Sequence, residues 1–253
     1  MSLSHSPKIV TNGLTMCLDA KNIKSYSGSG NTWTDSSGNG YYATKSGDGS
    51  VPSFNTSGYF DYSANSPAET SSAWGGNGFY LNNIPIPTTG SFTVTASIRR
   101  DTSQKALGDR ETIFSNAGGA EGFRFGIYSN ELYYLIGGTS GAGYQEGGLG
   151  TNAPIANAQW HIITAVFDRA AQLGSYKVYG YVDSLYSSSV TINAGASGNS
   201  AFPATPIMAW GPGYGGCCDA YAGYIGAVLT YNRALTSSEV AQNFNALRGR
   251  YGI

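Results

Sequence analysis

Alternation of apolar and polar residues over short stretches is the feature that most limits how this chain can fold. In SFTVTASIRR, residues 91–100, the apolar residues Phe92, Val94, Ala96 and Ile98 alternate with hydroxyl-bearing residues. Because successive side chains of a β-strand point to opposite faces, this spacing predicts a strand buried on one face. Similar segments separated by Gly, Asn and Ser occupy residues 112–116, 122–129, 131–138, 160–168, 176–183 and 223–232. The sequence therefore predicts a sandwich of many β-strands.

The link between two of these segments has the composition of a tight turn. In YSNEL, residues 128–132, Ser129 and Asn130 can adopt the positive φ angles that two-residue hairpin loops require. We therefore expect neighbouring strands to pair antiparallel. Two long stretches, 62–80 and 137–153, are rich in Gly, Ser and Asn and show no periodicity, so they are predicted to be loops.

Residues 234–253, ALTSSEVAQNFNALRGRYGI, have helical periodicity instead. Thr236 followed three residues later by Glu239 is a capping box, in which each side chain accepts a backbone N–H of the first turn. The apolar residues at helical spacing are Val240, Phe244 and Leu247. Gly249 is predicted to be the left-handed residue that ends the helix. We expect a surface helix that packs on the sandwich along one face.

Composition excludes several classes of partner. Charged residues make up 11% of the 253 residues and the net charge is −1, whereas average domains have about 25% charged residues. Without a basic patch, we expect no nucleic-acid partner and no binding to an anionic membrane. No apolar run reaches the roughly 20 residues that span a bilayer, and MSLSHSPKIV lacks the apolar core of a signal peptide. We therefore expect no membrane insertion and a protein that stays in the cytosol or is released by a route other than secretion.

The three cysteines do not suggest a disulfide framework. Cys17, Cys217 and Cys218 cannot all pair within one chain, and a bridge between adjacent cysteines is strained. We expect reduced thiols. A zinc site needs four ligands, and the two histidines, His5 and His161, stand at no recognisable spacing to the cysteines. We therefore predict no structural metal from this set.

Motifs at both ends of the chain carry a family resemblance. GLTMCLDA at 13–20, SY at 25–26, WTDSSGNG at 33–40 and GYIGAVLTYNRALTSSEVAQNFNALRGRYG at 223–252 follow one another in order. They resemble the start and end of laminin-G-like, concanavalin A-like domains in virion structural proteins of tailed phages, particularly those of marine cyanobacteria. The resemblance implies an all-β, antiparallel β-sandwich jelly roll with one short C-terminal helix, forming a single domain over residues 1–253.

The same resemblance implies a function. We expect a non-enzymatic virion structural protein, displayed as a decoration of the phage capsid or on an appendage and assembled in the host cytoplasm. Its expected partners are other virion proteins such as the capsid and, in addition, host-surface glycans, with the protein either a homo-oligomer or attached to the capsid. The alternative is a carbohydrate-binding adhesin or lectin acting in its own right, and a glycoside hydrolase ranks third.

Aromatic residues in Gly-rich segments are the candidates for carbohydrate binding. They are Trp74, Tyr144, Trp210, Tyr214 and Tyr221. Exposed aromatic rings can stack on sugar faces or anchor a protein interface. For Trp210 and Tyr221 a place in the core at the end of a strand is an equal alternative.

Catalytic residues are not predicted. Glycoside hydrolysis needs two carboxyl groups at defined separation, and the nearest pair is Asp109 and Glu111 in GDRET. Because basic residues surround this pair, we predict a solvated charged turn. His161 is accompanied by no nucleophile elbow, so we predict a structural histidine.

No cofactor is predicted, although calcium is an alternative, because relatives of the fold bind it through loop oxygens. Asp61 lies at the family's position for such a residue, but the acidic residues that often follow it are replaced at 63–65. Asp35 and Asn39 are predicted instead to form turns through bonds to nearby backbone.

Overall fold

The computed structural model describes residues 7–45, 52–63, 78–87, 90–101, 110–115, 122–137, 144–150, 154–172, 175–193, 208–209 and 221–253. The strands in chain order are β1 (Leu14–Asp19), β2 (Thr32–Thr34), β3 (Tyr42–Lys45), β4 (Ser53–Asn55), β5 (Tyr59–Asp61), β6 (Phe79–Leu81), β7 (Phe92–Arg100), β8 (Arg110–Ser115), β9 (Gly122–Tyr128), β10 (Glu131–Gly137), β11 (Tyr144–Gly148), β12 (Trp160–Gln172), β13 (Ser175–Val182), β14 (Leu185–Asn193), β15 (Met208–Ala209) and β16 (Gly223–Tyr231). One helix, α1, spans Ser237–Tyr251 near the C-terminus.

The strands form two eight-stranded sheets. Sheet A has the order β14-β13-β12-β7-β16-β5-β4, with β1 also beside β16, and sheet B has the order β11-β10-β9-β8-β15-β6-β3-β2. The neighbouring strands pair antiparallel, for example β7 with β12 and β9 with β10. The predicted all-β antiparallel sandwich with a C-terminal helix is therefore confirmed.

The inner faces of the two sheets enclose the main hydrophobic core. Its largest apolar members include Trp33, Phe60, Phe79, Phe92, Phe114, Phe123 and Phe125. The Phe92 ring stacks on Phe167 with centroids 4.4 Å apart and meets Phe123 edge-on at 5.0 Å. Phe92 and Phe167 belong to sheet A and Phe123 to sheet B, so aromatic contacts hold the two sheets together.

Strand β7 differs from its prediction, because it is buried on both faces. The hydroxyl-bearing residues Thr93 and Thr95 are as buried as the apolar residues between them. The Thr93 hydroxyl donates to the carbonyl oxygen of Arg233 at 2.9 Å, and the Thr95 hydroxyl bonds that of Thr164 at 2.9 Å. The sequence pattern shows which face is apolar but not that a helix covers the other one.

That cover is a second hydrophobic cluster between α1 and the outer face of sheet A. Its members are Val10, Cys17, Ile162, Val166, Tyr181, Ala227, Leu229, Tyr231, Leu235, Val240 and Leu247. Asn243 of α1 accepts a hydrogen bond from the backbone N–H of Val10 at 2.8 Å, so the helix also holds the segment before β1. No helix in the described part of the chain is long and apolar enough to cross a membrane.

The capping box is confirmed at the start of α1, where Thr236 and Glu239 accept each other's backbone N–H. The prediction for the end of the helix is wrong. Gly252, with φ of +73°, is the left-handed C-cap, and Gly249 lies inside the helix. The last turn of the helix places the Tyr251 ring 4.6 Å from that of Trp160 on sheet A, so this turn also packs on the sheet.

Loop residues 35–39 cover the outer edge of β1. Asp35 Oδ1 accepts the backbone N–H of Ser37 at 2.8 Å, as the turn prediction requires, and also that of Cys17 at 2.7 Å. Asn39 donates to the carbonyl oxygen of Thr15 at 2.9 Å. These bonds occupy backbone groups that an edge strand otherwise exposes to other chains.

Two predictions about connections have different outcomes. Ser129 and Asn130 adopt φ angles of 48° and 70° between β9 and β10, which confirms the hairpin turn. The prediction of an uninterrupted loop over 137–153 is wrong, because β11 lies within it and pairs with β10. Its sequence, YQEGG, has no apolar alternation, so backbone pairing alone defines this strand.

Candidate functional site

Of the five aromatic residues predicted to bind carbohydrate, two lie within the described residues. Trp74, Trp210 and Tyr214 lie outside the described residues. Tyr144 is the first residue of β11 and pairs with Gly137 of β10. The structure thus describes the backbone position of Tyr144 at one margin of sheet B and the contacts of the Tyr221 side chain with described residues.

Tyr221 is a core residue, which corrects its assignment as a carbohydrate-binding residue. Its side chain is fully buried, and its ring meets that of Tyr62 edge-on at 6.2 Å. Its hydroxyl donates to the backbone carbonyls of Arg99 at 2.9 Å and Tyr224 at 3.2 Å. Burial raises the pKa of Tyr221 well above its ordinary value, so the phenol remains a neutral donor. A sugar cannot reach this ring.

The outer face of sheet B carries a different set of polar and aromatic residues. Most of them alternate along their strands with residues of the main core, which fixes their side of the sheet. Arg110 and Glu146 lie on the same side because they pair with Tyr128 and Leu135 in the strand register. The residues of this outer face include Tyr42, Tyr80, Arg110, Thr112, Arg124, Tyr128, Glu131, Tyr133 and Glu146. No helix covers this face within the described chain.

Four of these residues form a connected group, the Tyr133 cluster: Arg110, Tyr128, Tyr133 and Glu146. Arg110 Nη2 lies 2.9 Å from Glu146 Oε1, and the Tyr133 hydroxyl donates to Glu146 Oε2. The Arg110 guanidinium lies 5.8 Å from the centre of the Tyr133 ring, which is 6.3 Å from that of Tyr128. The cluster joins β8, β9, β10 and β11, one residue from each strand.

The electrostatics of the cluster suit binding better than proton transfer. Burial and the hydrogen bond to Glu146 raise the pKa of Tyr133 far above its ordinary value, so its hydroxyl stays protonated. Both carboxylate oxygens of Glu146 accept hydrogen bonds. Tyr128, by contrast, is 40% exposed and presents its ring at the surface. The cluster therefore combines fixed polar groups with one accessible aromatic ring.

Two glycines shape the surroundings of Tyr133. Its partners in the neighbouring strands are Gly126 of β9 and Gly148 of β11. A Cβ atom at Gly148 would lie 2.3 Å from Glu131 Oε2, so the missing side chain makes room for that carboxylate. A Cβ at Gly126 would lie 2.0 Å from the carbonyl oxygen of Glu111, where β8 approaches closely. Substituting either glycine would displace a neighbour of the cluster.

Thr112 adds a polar group next to the cluster. It pairs with Gly126, is 2% exposed, and its hydroxyl has no hydrogen-bond partner among the described residues. A buried polar group without a partner costs about 1–3 kcal/mol.

Glu111 is not part of a solvated turn, which corrects its prediction; Asp109 lies outside the described residues. The Glu111 side chain is 1% exposed, and Arg100 Nε donates to its Oε1 at 2.7 Å. Arg100 also donates to the side-chain oxygen of Asn130. The pair links β7 of sheet A to β8 of sheet B, so Glu111 is a structural carboxylate.

His161 is structural, as predicted. Its Nδ1 lies 2.7 Å from Asp183 Oδ2, and its Nε2 accepts the backbone N–H of Ala156 at 3.1 Å. Asp183 Oδ1 accepts the backbone N–H of Ile162 at 2.8 Å. Both ring nitrogens are thus used to hold the start of β12 to the turn after β13.

The predictions of reduced thiols and of a calcium alternative concern Cys17, Cys217, Cys218 and Asp61. Cys17 is free, as predicted, and burial raises the pKa of its thiol to about 11, so it is neutral near pH 7. Cys217 and Cys218 lie outside the described residues. Asp61 Oδ1 accepts the backbone N–H of Ser63 at 2.8 Å. Among the described residues, no three acidic, His or Cys side chains are grouped as metal ligands.

The residues of the Tyr133 cluster are not among those that the sequence predicts to bind a ligand. One signal is present: in ELYYLIGG, Leu132, Tyr134 and Ile136 alternate with Glu131 and Tyr133. If the apolar set faces the core, Tyr133 faces outward. The contacts of Tyr133 with Arg110 and Glu146 depend on the strand register, and no pattern in the sequence predicts them.

Two antiparallel sheets packed face to face, with a polar and aromatic outer face, define a lectin-like jelly roll. The chain belongs to the concanavalin A-like lectin/glucanases superfamily, whose family model matches residues 71–241. This family assignment agrees with the fold that the sequence resemblance implied. A search of curated protein sequences finds no match.

Solved structures with the same fold include receptor-binding domains of clostridial toxins. The binding domain of botulinum neurotoxin DC in complex with rat synaptotagmin II is 14% identical, with a TM-score of 0.60 over 94% of this chain and 52% of that one. The binding domain of Paraclostridial Mosquitocidal Protein 1 is 17% identical, with a TM-score of 0.58 over 93% and 52%.

A third structure concerns botulinum neurotoxin type C, whose cell entry is described as dependent on two ganglioside molecules. It is 16% identical, with a TM-score of 0.58 over 94% of this chain and 52% of that one. The present chain thus spans about half the length of each of these structures. At these identities the likeness shows a shared fold.

Proposed function

We propose that this chain is a non-enzymatic carbohydrate-binding module whose ligand lies against the Tyr133 cluster on the outer face of sheet B. The observation that carries the proposal is the exposed Tyr128 ring beside the bonded group of Arg110, Tyr133 and Glu146. Aromatic rings pack on the apolar faces of sugars, and convergent polar groups bond their hydroxyls.

The comparisons support this reading over the virion role as the primary function. The similar solved structures are described as binding or receptor-binding domains, and one is described as a complex with SialylT. These descriptions belong to those proteins and reach this chain only through the fold. They favour a module that recognises a ligand at its surface.

The engaged carboxylates support a binding role over hydrolysis. A general acid needs a proton to give, and a nucleophile or base needs a free oxygen. Glu146 accepts bonds at both oxygens, and Glu111 is buried against Arg100. Neither group is arranged for those steps.

Display on a phage particle is a second, compatible proposal, and it rests on the resemblance of residues 13–40 and 223–252 to virion structural proteins. In that setting the ligand would be a host-surface glycan, and the module would be attached to the capsid or an appendage. Mass spectrometry and immuno-labelling of purified particles test it. Absence of the protein from particles would overturn the proposal of display on a phage particle. It would not bear on the glycan-binding proposal.

A glycan array followed by calorimetric titration of the bound sugars tests the binding function. We expect Tyr128→Ala and Glu146→Gln to weaken affinity at least about tenfold, a loss of ~1.4 kcal/mol. The matched control is Tyr186→Ala, since Tyr186 is 52% exposed on β14 of the other sheet. Trp74→Ala and Tyr214→Ala test the residues predicted from sequence alone. Failure to bind any glycan, or equal loss in the Tyr186 control, would overturn the proposal.

A further inference from the structure

The outer face of sheet A has a line of aromatic and cationic residues at the C-terminal end of helix α1. Trp160 of β12 pairs with Arg99 of β7, and Arg99 pairs with Tyr224 of β16. Ile98 and Ile225, the chain neighbours of Arg99 and Tyr224, belong to the main core. Because side chains alternate along a strand, Arg99 and Tyr224 face outward, and Trp160 beside Arg99 faces the same side.

Tyr59 of β5 and Tyr251 of α1 complete this group, here called the Arg99 row: Tyr59, Arg99, Trp160, Tyr224 and Tyr251. The centre of the Tyr59 ring lies 5.2 Å from that of Tyr224 and 5.5 Å from that of Trp160. All five residues are half-buried. The row crosses the neighbouring strands β5-β16-β7-β12, a width of about three strand spacings or ~14 Å. It is therefore an aromatic surface that solvent reaches, outside both hydrophobic clusters of the sandwich.

The guanidinium of Arg99 is held in place without a carboxylate. Its Nε donates to the carbonyl oxygen of Ala158 at 3.1 Å, and its Cζ lies 5.1 Å from the centre of the Tyr224 ring. Among the described residues, no carboxylate forms an ion pair with Arg99. Its remaining N–H groups can therefore bond an anionic group of a partner, and the fixed position over the ring reduces the entropy lost on binding.

Lys21 adds a second cation at the margin of the row. A Cβ atom at Gly58 would lie 2.7 Å from Lys21 Cβ, so Lys21 lies against the turn that precedes Tyr59. Its Nζ donates to the carbonyl oxygen of Arg250 at 2.8 Å, and no carboxylate within the described chain pairs with it. Asp61, which pairs with Tyr224, already accepts the backbone N–H of Ser63. The row and its margin thus favour an acidic partner.

The packing of the rings favours a protein partner over a sugar. The Tyr59 ring meets that of Tyr224 at 79° and that of Trp160 at 61°. Rings at such steep angles do not form one flat platform, whereas a sugar stacks on an open ring face. Tyr, Trp and Arg are also the residues enriched at the energetic centres of protein interfaces.

We propose that the Arg99 row is a docking site for an acidic segment of a partner protein. Carboxylates of the segment bond Arg99 and Lys21, and its apolar side chains pack between the rings. The row lies on the opposite sheet from the Tyr133 cluster, so the chain can hold a protein partner and a ligand on sheet B at the same time. This inference goes beyond the proposed carbohydrate-binding function and does not depend on it.

A peptide array tests the inference. It presents short peptides in which Asp and Glu alternate with Leu and Phe, beside matched peptides with Asn and Gln, or with Lys, at the acidic positions. Peptides that bind the full chain are then titrated by fluorescence anisotropy. We expect each acidic peptide that binds to do so at least about tenfold more tightly than its amide counterpart, and Arg99→Gln to remove most of that difference.

The matched control is Arg248→Gln. Arg248 Cζ lies 5.7 Å from the centre of the Phe244 ring on helix α1, so this pair has the same chemistry outside the row. The substitution should leave peptide affinity unchanged. Arg99→Lys keeps the charge and should retain part of the preference for acidic peptides, which separates loss of charge from misfolding. Added salt should weaken peptide binding to the wild type more than to Arg99→Gln.

Three results would overturn the inference directly: no binding to any peptide of the array, equal affinity for acidic and amide peptides, or an equal loss in Arg248→Gln. A dimer seen by light scattering and dissociated by Arg99→Gln would assign the row to a second copy instead. Loss of glycan binding in Arg99→Gln without any peptide binding would make it a sugar site. The effect of Tyr128→Ala on glycan binding tests the proposed function separately.

Discussion

The outer faces of the two sheets differ although the sheets have equal numbers of strands. On sheet A, helix α1 and the segment before β1 cover an apolar cluster that includes Val240 and Leu247. On sheet B, the only apolar cluster identified on the outer face of the described strands consists of Tyr133 and Leu135. Tyrosines and charged residues occupy much of the rest. The covered face contributes stability. On sheet B, Arg124 and Tyr133 are 4% and 3% exposed, and the exposed part of the outer face around Tyr128, here called the open face, has the groups that can meet a ligand.

The largest effect should come from removing a carboxylate inside the sandwich rather than on the open face. Glu111→Ala leaves Arg100 buried without its partner and should lower the free energy of unfolding by about 3–5 kcal/mol. Glu146→Ala breaks the more exposed pair with Arg110 and removes the acceptor of the Tyr133 hydroxyl, and should cost less, about 1–2 kcal/mol. Urea unfolding measures both. Equal losses would mean that the open face is as important for stability as the interior.

Substitutions on the face of sheet A that α1 covers should destabilise the protein nearly as much. Leu247→Ala removes a buried side chain between α1 and sheet A and should lower the free energy of unfolding by about 2–5 kcal/mol. Tyr128→Ala on the open face should change it by about 0.5 kcal/mol or less. Thermal and urea denaturation of both variants check this. A large loss in Tyr128→Ala would show that the ring supports the fold rather than a ligand.

Alanine substitutions at two glycines, one inside α1 and one at its C-cap, should change the free energy of unfolding in opposite directions. Gly249 lies inside α1, and a Cβ atom at this position would meet open space, so Gly249→Ala should stabilise the protein by about 0.5–1 kcal/mol. Gly252 has a left-handed φ of +73°, so Gly252→Ala should destabilise it by about 1 kcal/mol. Denaturant midpoints measure the signs. The reverse order would restore Gly249 as the helix end.

The smallest expected effect is on the pH dependence of the free energy of unfolding. The bonds from Arg233 lower the pKa of Glu239 from 4.5 to about 2 in the folded protein. Because the folded value lies below the unfolded one, the stabilisation is fully present above about pH 4.5 and is lost as pH falls through about pH 2. Glu239→Gln should therefore lose less stability than the wild type between about pH 6 and pH 3, by ~1 kcal/mol or less for this partly exposed pair. Parallel urea titrations at the two pH values test it, and identical losses would contradict it.

Local patterns predict much of the fold. Strands β7 and β12 have clear apolar alternation or apolar runs, and Thr236 with Glu239 is a local signal that marks the helix start. Strands β11 and β14 are not predicted, because YQEGG and LYSSSVTIN are rich in Gly or Ser. They are strands because a neighbour pairs with their backbone, and this tertiary effect overrides weak propensity.

The candidate site is less predictable than the fold. The sequence predicts a solvated Glu111 because it does not show that Arg100, eleven positions earlier, reaches this carboxylate inside the sandwich. The Tyr133 cluster takes one residue from each of four strands, and their meeting depends on register and on the bulge between Thr112 and Phe114. Composition singles out aromatic residues near glycines instead, and Tyr221 is among them although it is buried.

The contact between the segment before β1 and helix α1 has a consequence for biosynthesis. Val10 and Asn243 are 233 positions apart in the chain, and β1 finds its only strand neighbour in β16 among the described elements. A ribosome therefore releases the first strand long before its partner exists. Closing so long a loop is slow, so sheet A completes only after most of the polypeptide has emerged. Until then, a nascent chain exposes the edge of β7 that β16 will later occupy, and this is the stage at which a chaperone would protect it.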